Sequence, residues 1–159
     1  MEAIIFMFCF TLHNIEEALW GIEWKNQTMP NSRIKANQNL FNYALLGVTI
    51  LAYLVSGLHL LYPDNEYFEY AFIGGVGFML FNAVMPHLIL TIVYKKLCPG
   101  VLTGCFLIIP FNIIILNNAI NNGLKIIEII VATIIVAAIV LTIFLIAILT
   151  KRIFKINAP

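Results

Sequence analysis

Charge is what this chain has least of. Of its 159 residues only 11% are Asp, Glu, Lys or Arg, while 62% are hydrophobic and the mean hydropathy is +0.96. A soluble domain carries about 25% charged residues, so an ordinary soluble globule is excluded and an integral membrane protein is the expected class. The net charge of +1 offers no electrostatic footprint for a polyanion, so no nucleic-acid partner is expected; nor is a nucleotide cofactor. Cysteine is scarce as well. Cys9, Cys98 and Cys105 are an odd set without CxxC spacing, which excludes a disulfide framework and a cysteine-based zinc cluster. Cys9 and Cys105 fall in apolar runs and read as packing residues. No Lys or Arg precedes the first apolar run, and ionisable groups interrupt it, which speaks against a cleavable signal peptide. With no internal repeat and no low-complexity linker, a single membrane domain over 1–159 is the simplest organisation.

What is present is a series of long apolar runs. Crossing the hydrocarbon core takes about 20 apolar residues, and five runs qualify, near 3–24, 40–62, 67–94, 100–116 and 124–150. The expected fold is an all-α bundle of about five transmembrane helices. Lys25, Arg33 and Lys35 fall between the first two runs, Lys95 and Lys96 between the third and fourth, and Lys151, Arg152 and Lys155 after the fifth. The positive-inside rule makes these segments cytoplasmic, which places the N-terminus outside and the C-terminus inside. Trp20, Trp24, Tyr62, Tyr67, Tyr70 and Tyr94 mark run ends in the manner of interfacial aromatic belts.

The exception to this apolarity is the stretch HNIEE, His13 to Glu17, inside the first run. His13, Glu16 and Glu17 are spaced i, i+3 and i+4 and share one helix face. At 1.5 Å per residue, Glu17 lies roughly 12 Å, and His13 roughly 18 Å, from the Trp24 end. His87, counted back from Lys95, is also roughly 12 Å deep, and Asn82 roughly 20 Å. If the first and third runs are neighbours, His87 comes level with the glutamates. Pro86 frees the carbonyl of Asn82, which must then find another partner in the membrane. Gly74 to Gly77 offer a close helix approach in the same run. Thr103 opens the fourth run at a similar depth, and Pro110 marks a second kink there. Asn42, Asn112 and Thr103 read most simply as helix–helix contacts, and His59 as a snorkelling side chain near the outer interface. Two carboxylates and two imidazoles in one layer are different. Each mid-membrane charge costs about 2.5–3.5 kcal/mol on insertion scales, so a functional cluster is the better reading.

Three motifs in this order, HNIEE, then Asn82 followed by His87, then Pro99-Gly100-Val101-Leu102-Thr103, make the chain resemble the HXXEE family of small multi-pass membrane proteins of unknown function. The resemblance covers most of the chain. It implies a functional role for His13, Glu16, Glu17, Asn82, His87 and Thr103 and supplies no substrate. The Glu pair followed by later His and Asn residues is also similar to glutamate-type intramembrane proteases of the CAAX-processing and bacteriocin-processing kind. Those proteins carry an arginine after the pair that has no counterpart here.

Two functions from different classes fit these residues. One is an intramembrane hydrolase acting on a lipid or a membrane-embedded peptide. In a metal-dependent form, His13, His87 and one of Glu16 and Glu17 are ligands and the other Glu is the general base; zinc is the natural ion, with iron and manganese as alternatives. In a metal-free form, Glu16 or Glu17 activates water while His87 and Asn82 stabilise an oxyanion; Thr103 completes the candidate catalytic set. The other function is a proton-coupled or metal-ion transporter, with Asn112, Cys105 and Cys9 as the modest candidates for continuing a polar path. A non-catalytic membrane partner protein is the plain alternative. With no organelle address, a bacterial plasma membrane is the expected location.

Overall fold

Each of the five apolar runs folds as a helix. In the computed structural model, which describes residues 1–30 and 38–154, they are α1 (Glu2–Thr28), α2 (Gln38–Leu61), α3 (Glu66–Tyr94), α4 (Val101–Asn121) and α5 (Ile126–Phe154). All five are long and apolar enough to cross a membrane, and there is no strand among the described residues. Arg33, Lys35 and Lys155, on which the expected orientation partly rests, lie outside the described residues. Aromatic pairs mark the two ends of the bundle. Trp24 meets Tyr94 edge-on at 5.9 Å at one end, and Tyr62 meets Phe68 at 5.7 Å at the other.

Local chemistry sets the helix ends. The Asn65 side chain accepts the Tyr67 and Phe68 N–H groups at 3.0 and 3.3 Å. Glu66 and Glu69 occupy the first turn of α3, where the helix dipole favours a negative charge. Lys95 ends α3 with φ 52, and Gly100 precedes α4 with φ +91. The fourth helix outruns the apolar stretch that predicts it, continuing through Asn117 and Asn118 to Asn121. Asn118 anchors this extra turn by donating to Glu2 at 2.7 Å, and Gly123 at φ +111 ends it. Just before Pro110, where a kink is expected, α4 instead widens into a π-type turn over Gly104–Ile108.

The third helix is the hub. It packs most extensively along α5, and also against α2, α4 and α1, while α1 rests on α2 and α4. Phe6, Phe10, Phe72, Val76, Met79 and Ile108 form the buried centre, with Phe6 and Phe72 in T-shaped contact at 5.5 Å. Lipid tails are as apolar as leucine, so close fit rather than expulsion from water holds such helices together. Gly74 and Gly77 provide that fit. A Cβ on Gly74 would lie 2.6 Å from the Ala132 carbonyl oxygen, and one on Gly77 would collide with the Thr133 hydroxyl. Asn112 adds the polar contact expected of it, donating to the Val76 carbonyl at 2.9 Å. His59 differs from expectation: it is half-buried and stacks flat on Phe72, centroids 4.6 Å apart, rather than snorkelling away.

The α3–α5 contact is testable. Gly74→Val is expected to cost about 1–3 kcal/mol through overpacking. Gly75→Ala, whose new carbon would sit 3.9 Å from Phe6, should be tolerated. Thermal unfolding in detergent compares them; equal stability would mean that the glycine approach does not hold α3 to α5.

Candidate functional site

The residues of HNIEE divide by direction. Successive helical residues are about 100° apart, so Glu16 and Glu17 point to either side of His13. Glu16 is buried and points at the start of α4. Its Oε2 accepts the Thr103 hydroxyl at 2.6 Å and the Thr103 backbone N–H at 2.9 Å. The N–H groups of a first helical turn have no partner within the helix, so Glu16 acts as a cap delivered from another helix. The same Thr103 hydroxyl lies 3.0 Å from His13 Nδ1. With its proton given to Glu16, the hydroxyl can only accept from His13, which places the His13 proton on Nδ1 and a lone pair on Nε2.

The third helix supplies the other half. Asn82 and His87 are five residues apart, about 140° around a regular helix, and would not meet on one. Met85 leaves the helical region at φ −120, ψ 107, ahead of a cis bond to Pro86. Across this break the Asn82 Nδ2 lies 3.3 Å from His87 Nε2 and also 3.3 Å from His13 Nε2. The sequence-based expectation is a proline kink; the chain makes a full interruption. His87 Nε2 in turn lies 2.7 Å from Glu17 Oε1, and His13 Nε2 lies 3.8 Å from it. The two imidazoles are perpendicular, centroids 4.9 Å apart, and both are buried.

One ligand atom each from His13, Glu17 and His87 therefore converges, all within 4.8 Å of one another. Tetrahedral ligands about 2.1 Å from an ion lie about 3.4 Å apart. The two separations from Glu17, 2.7 and 3.8 Å, straddle that value and the third is within 4.8 Å, so the three residues could hold a divalent metal after the ligand atoms draw together. The proton arrangement agrees. His13 presents a lone pair inward and its N–H outward to Thr103 and Glu16, the support that metal-binding histidines receive from neighbouring groups. Glu16, also a candidate ligand on the sequence, has an oxygen committed to Thr103 and is not in the converging group.

Three further residues shape the site, and sequence reasoning did not assign them to it. Cys98 is buried with Sγ 3.8 Å from His87 Nδ1, and its backbone N–H is held by the Thr91 hydroxyl at 2.9 Å. A Cβ on Gly100 would lie 2.7 Å from His87 Cε1 and 2.9 Å from His13 Cε1, so this position requires glycine for space as well as for φ. Asn14, the first variable residue of the motif, donates to Thr49 on α2 at 2.7 Å. The signals were an amide inside an apolar run and a Cys-Pro-Gly turn between two helices.

Two cavities flank the glutamate pair. One, of about 300 Å³, runs between α1, α2, α3 and α5. It is walled by Phe6, Phe10, Val48, Ala52 and Phe72 among other apolar residues, and Asn14, Glu17 and Asn82 are its polar lining. The other, of about 320 Å³, lies towards the Trp24 end and is lined by Glu16, Glu23, Trp20, Trp24, Cys98 and neighbours. Glu17 faces the apolar space and Glu16 the more polar one.

Thr103→Val keeps the shape of the side chain and removes the hydroxyl shared by His13 and Glu16. Leaving buried polar groups unpaired costs about 1–3 kcal/mol each. The variant should lose stability on that scale in thermal unfolding, while Thr103→Ser keeps most of it. Equal stability of the two would break the relay argument.

Residues 4–115 match the family described as "Protein of unknown function with HXXEE motif". Over 139 residues the chain is 41% identical to "Uncharacterized protein YrkK" of Bacillus subtilis (strain 168), covering 86% of this chain and 87% of that protein. No solved structure matches. The matched region holds all of the converging residues, and the chain belongs to the HXXEE family.

Proposed function

We propose that this protein is an intramembrane metal-dependent hydrolase, with His13, Glu17 and His87 holding a divalent ion and zinc as the first candidate. The observation that carries the reading is the convergence of His13 Nε2, His87 Nε2 and Glu17 Oε1 with the far side of His13 tied through Thr103 to Glu16. Such an ion supplies Lewis-acid polarisation of a carbonyl and makes water more acidic. Thr103 and Glu16 lock the His13 ring in one tautomer and one orientation. Glu17 offers Oε1 to the convergence and Oε2 to a proton. It takes that proton from water as the water oxygen bonds to the acyl carbon, then returns it to the leaving oxygen or nitrogen as that bond breaks. Asn82, with its amide between the two imidazoles, donates to the developing oxyanion. The proposed route for water is the cavity on the Glu16 side, which reaches Cys98 beside His87. Thr103 and Glu16 are positioning residues in this scheme; Glu17, Asn82, His13 and His87 touch the reacting groups. The proposed setting is a bacterial plasma membrane, N-terminus outside and C-terminus cytoplasmic.

Transport is the alternative reading. A polar path from the site towards the Tyr62 end would have to run through the cavity walled by Phe6, Phe10, Val55 and Phe72, whose lining beyond Asn14, Glu17 and Asn82 is apolar, and the Asn112 amide N–H is engaged by the Val76 carbonyl. These observations weigh against transport.

Metal content of detergent-purified protein tests the proposal. Near-stoichiometric metal is expected in wild type and its loss in folded His13→Ala, Glu17→Gln and His87→Ala. Glu16→Gln should retain metal with affinity lower by about 10–100-fold, as for other supporting groups. Metal-free wild type prepared without chelators would sink the metal centre, and loss from Glu16→Gln as complete as from Glu17→Gln would sink the division of roles.

A further inference from the structure

The apolar cavity indicates what the hydrolase acts on. Its lining runs from Phe6 to Glu17 on α1 and from Ala71 to Asn82 on α3. Either interval is eleven residues, roughly 16 Å of helix. The cleft is thus about half as long as a hydrocarbon core about 30 Å thick. Because Glu17 lies roughly 12 Å in from the Trp24 end, the cleft occupies the inner part of the bilayer, so a lipid would have to be drawn in from the interface to bring its carbonyl to Glu17. Its polarity is graded along that length. Asn14, Glu17 and Asn82 lie at the end nearest the metal-ligand cluster, while the far end is Phe6, Phe72 and Val55. That is the pattern of an amphiphile, with a carbonyl end and a long hydrocarbon end. The volume of about 300 Å³ is at the small end of ligand pockets. It suits a single chain better than an α-helix, which with side chains is about 10–12 Å across.

We propose that this cleft receives one acyl chain of a membrane lipid and presents its ester or amide carbonyl to Glu17 and Asn82. The proposal rests on the hydrolase reading for the chemistry and on the cleft alone for the substrate class. The two clefts divide the labour. The chain enters on the Glu17 face, and water and the released head group use the Glu16 face. Cleavage consumes one water; its oxygen joins the acyl carbon, the carbon's bond to the head-group oxygen or nitrogen breaks, and that atom leaves with the proton. The smallest residues on the α2 and α3 walls, Ala52 and Gly75, lie midway along the cleft, where a larger side chain would close it without touching the His13–Glu17–His87 group.

The test uses full-length protein in nanodiscs containing a phosphatidylcholine with a diazirine at mid-chain, with photolabelled residues mapped by mass spectrometry. Labelling is expected at cleft residues such as Val48, Ala52 and Phe78. Ala52→Trp should lower it about tenfold, equivalent to about 1.4 kcal/mol, with metal content unchanged. Labelling confined to outward residues such as Ile130, Ile134 and Leu141, already exposed in the fold, would overturn the proposal. So would cleft labelling that Ala52→Trp leaves intact. Should that variant fail to fold, the wild-type map decides alone. Loss of the metal reading with cleft labelling preserved would overturn the proposed chemistry and leave the acyl site standing.

Discussion

A carboxylate buried between membrane helices has to be held by donors, and the bond from Thr103 to Glu16 does this while fixing the rest of the site. The α4 N-terminus needs an acceptor for its free N–H groups, and Glu16 needs donors; the contact answers both and joins α1 to α4. The Thr103 hydroxyl then turns His13, because a hydroxyl that donates to Glu16 has only lone pairs left for Nδ1. From that follow the inward lone pair on Nε2 and the meeting with Glu17 and His87. Gly100, one turn earlier, allows the loop to pass close to both imidazoles. A side chain there would push the rings apart and separate the capping carboxylate from the histidine it orients.

Adjacent glutamates in one helix cannot share a task when each faces a different wall. Glu16 faces α4 and the polar space near the bundle end; Glu17 faces α3 and the apolar cleft. Two such carboxylates in one water-poor layer avoid direct repulsion because their directions diverge and each has its own partner, Thr103 for Glu16 and His87 for Glu17. Charge inside a membrane is tolerated where it is paired and turned towards the bundle interior, and both conditions hold here.

The sequence is legible on the matters that periodicity and length control. Five apolar runs give five helices, and the i, i+3, i+4 spacing places His13, Glu16 and Glu17 on one side of α1. Counting rise per residue brings His87 level with the glutamates, the start of the fourth run puts Thr103 near that layer, and the structure places both within hydrogen-bond or ion-pair reach of that face. Spacing does not divide the two glutamates between their walls, because that depends on which neighbour stands on each side. Cys98 and Gly100 are invisible to hydropathy, since they lie in a turn whose path is set by tertiary packing. The end of α4 is misplaced for a similar reason: an Asn-rich stretch reads as a connection until Glu2, distant in sequence, gives Asn118 a partner.

The break in α3 links the site to the cleft. A regular helix would put Asn82 and His87 on different faces, so one of them would be lost to lipid or to another helix. Interrupting the helix at Met85 lets both reach the His13 layer. Before the break, α3 is held to α5 by Gly74 and Gly77, which keeps its Phe72–Met79 stretch in place as one wall of the cleft. After it, α3 is free of that register and can carry His87 back towards Glu17. One helix thus supplies both an apolar wall and a polar group at its end, and the change of direction between them lies where the cleft meets the His13–Glu17–His87 cluster.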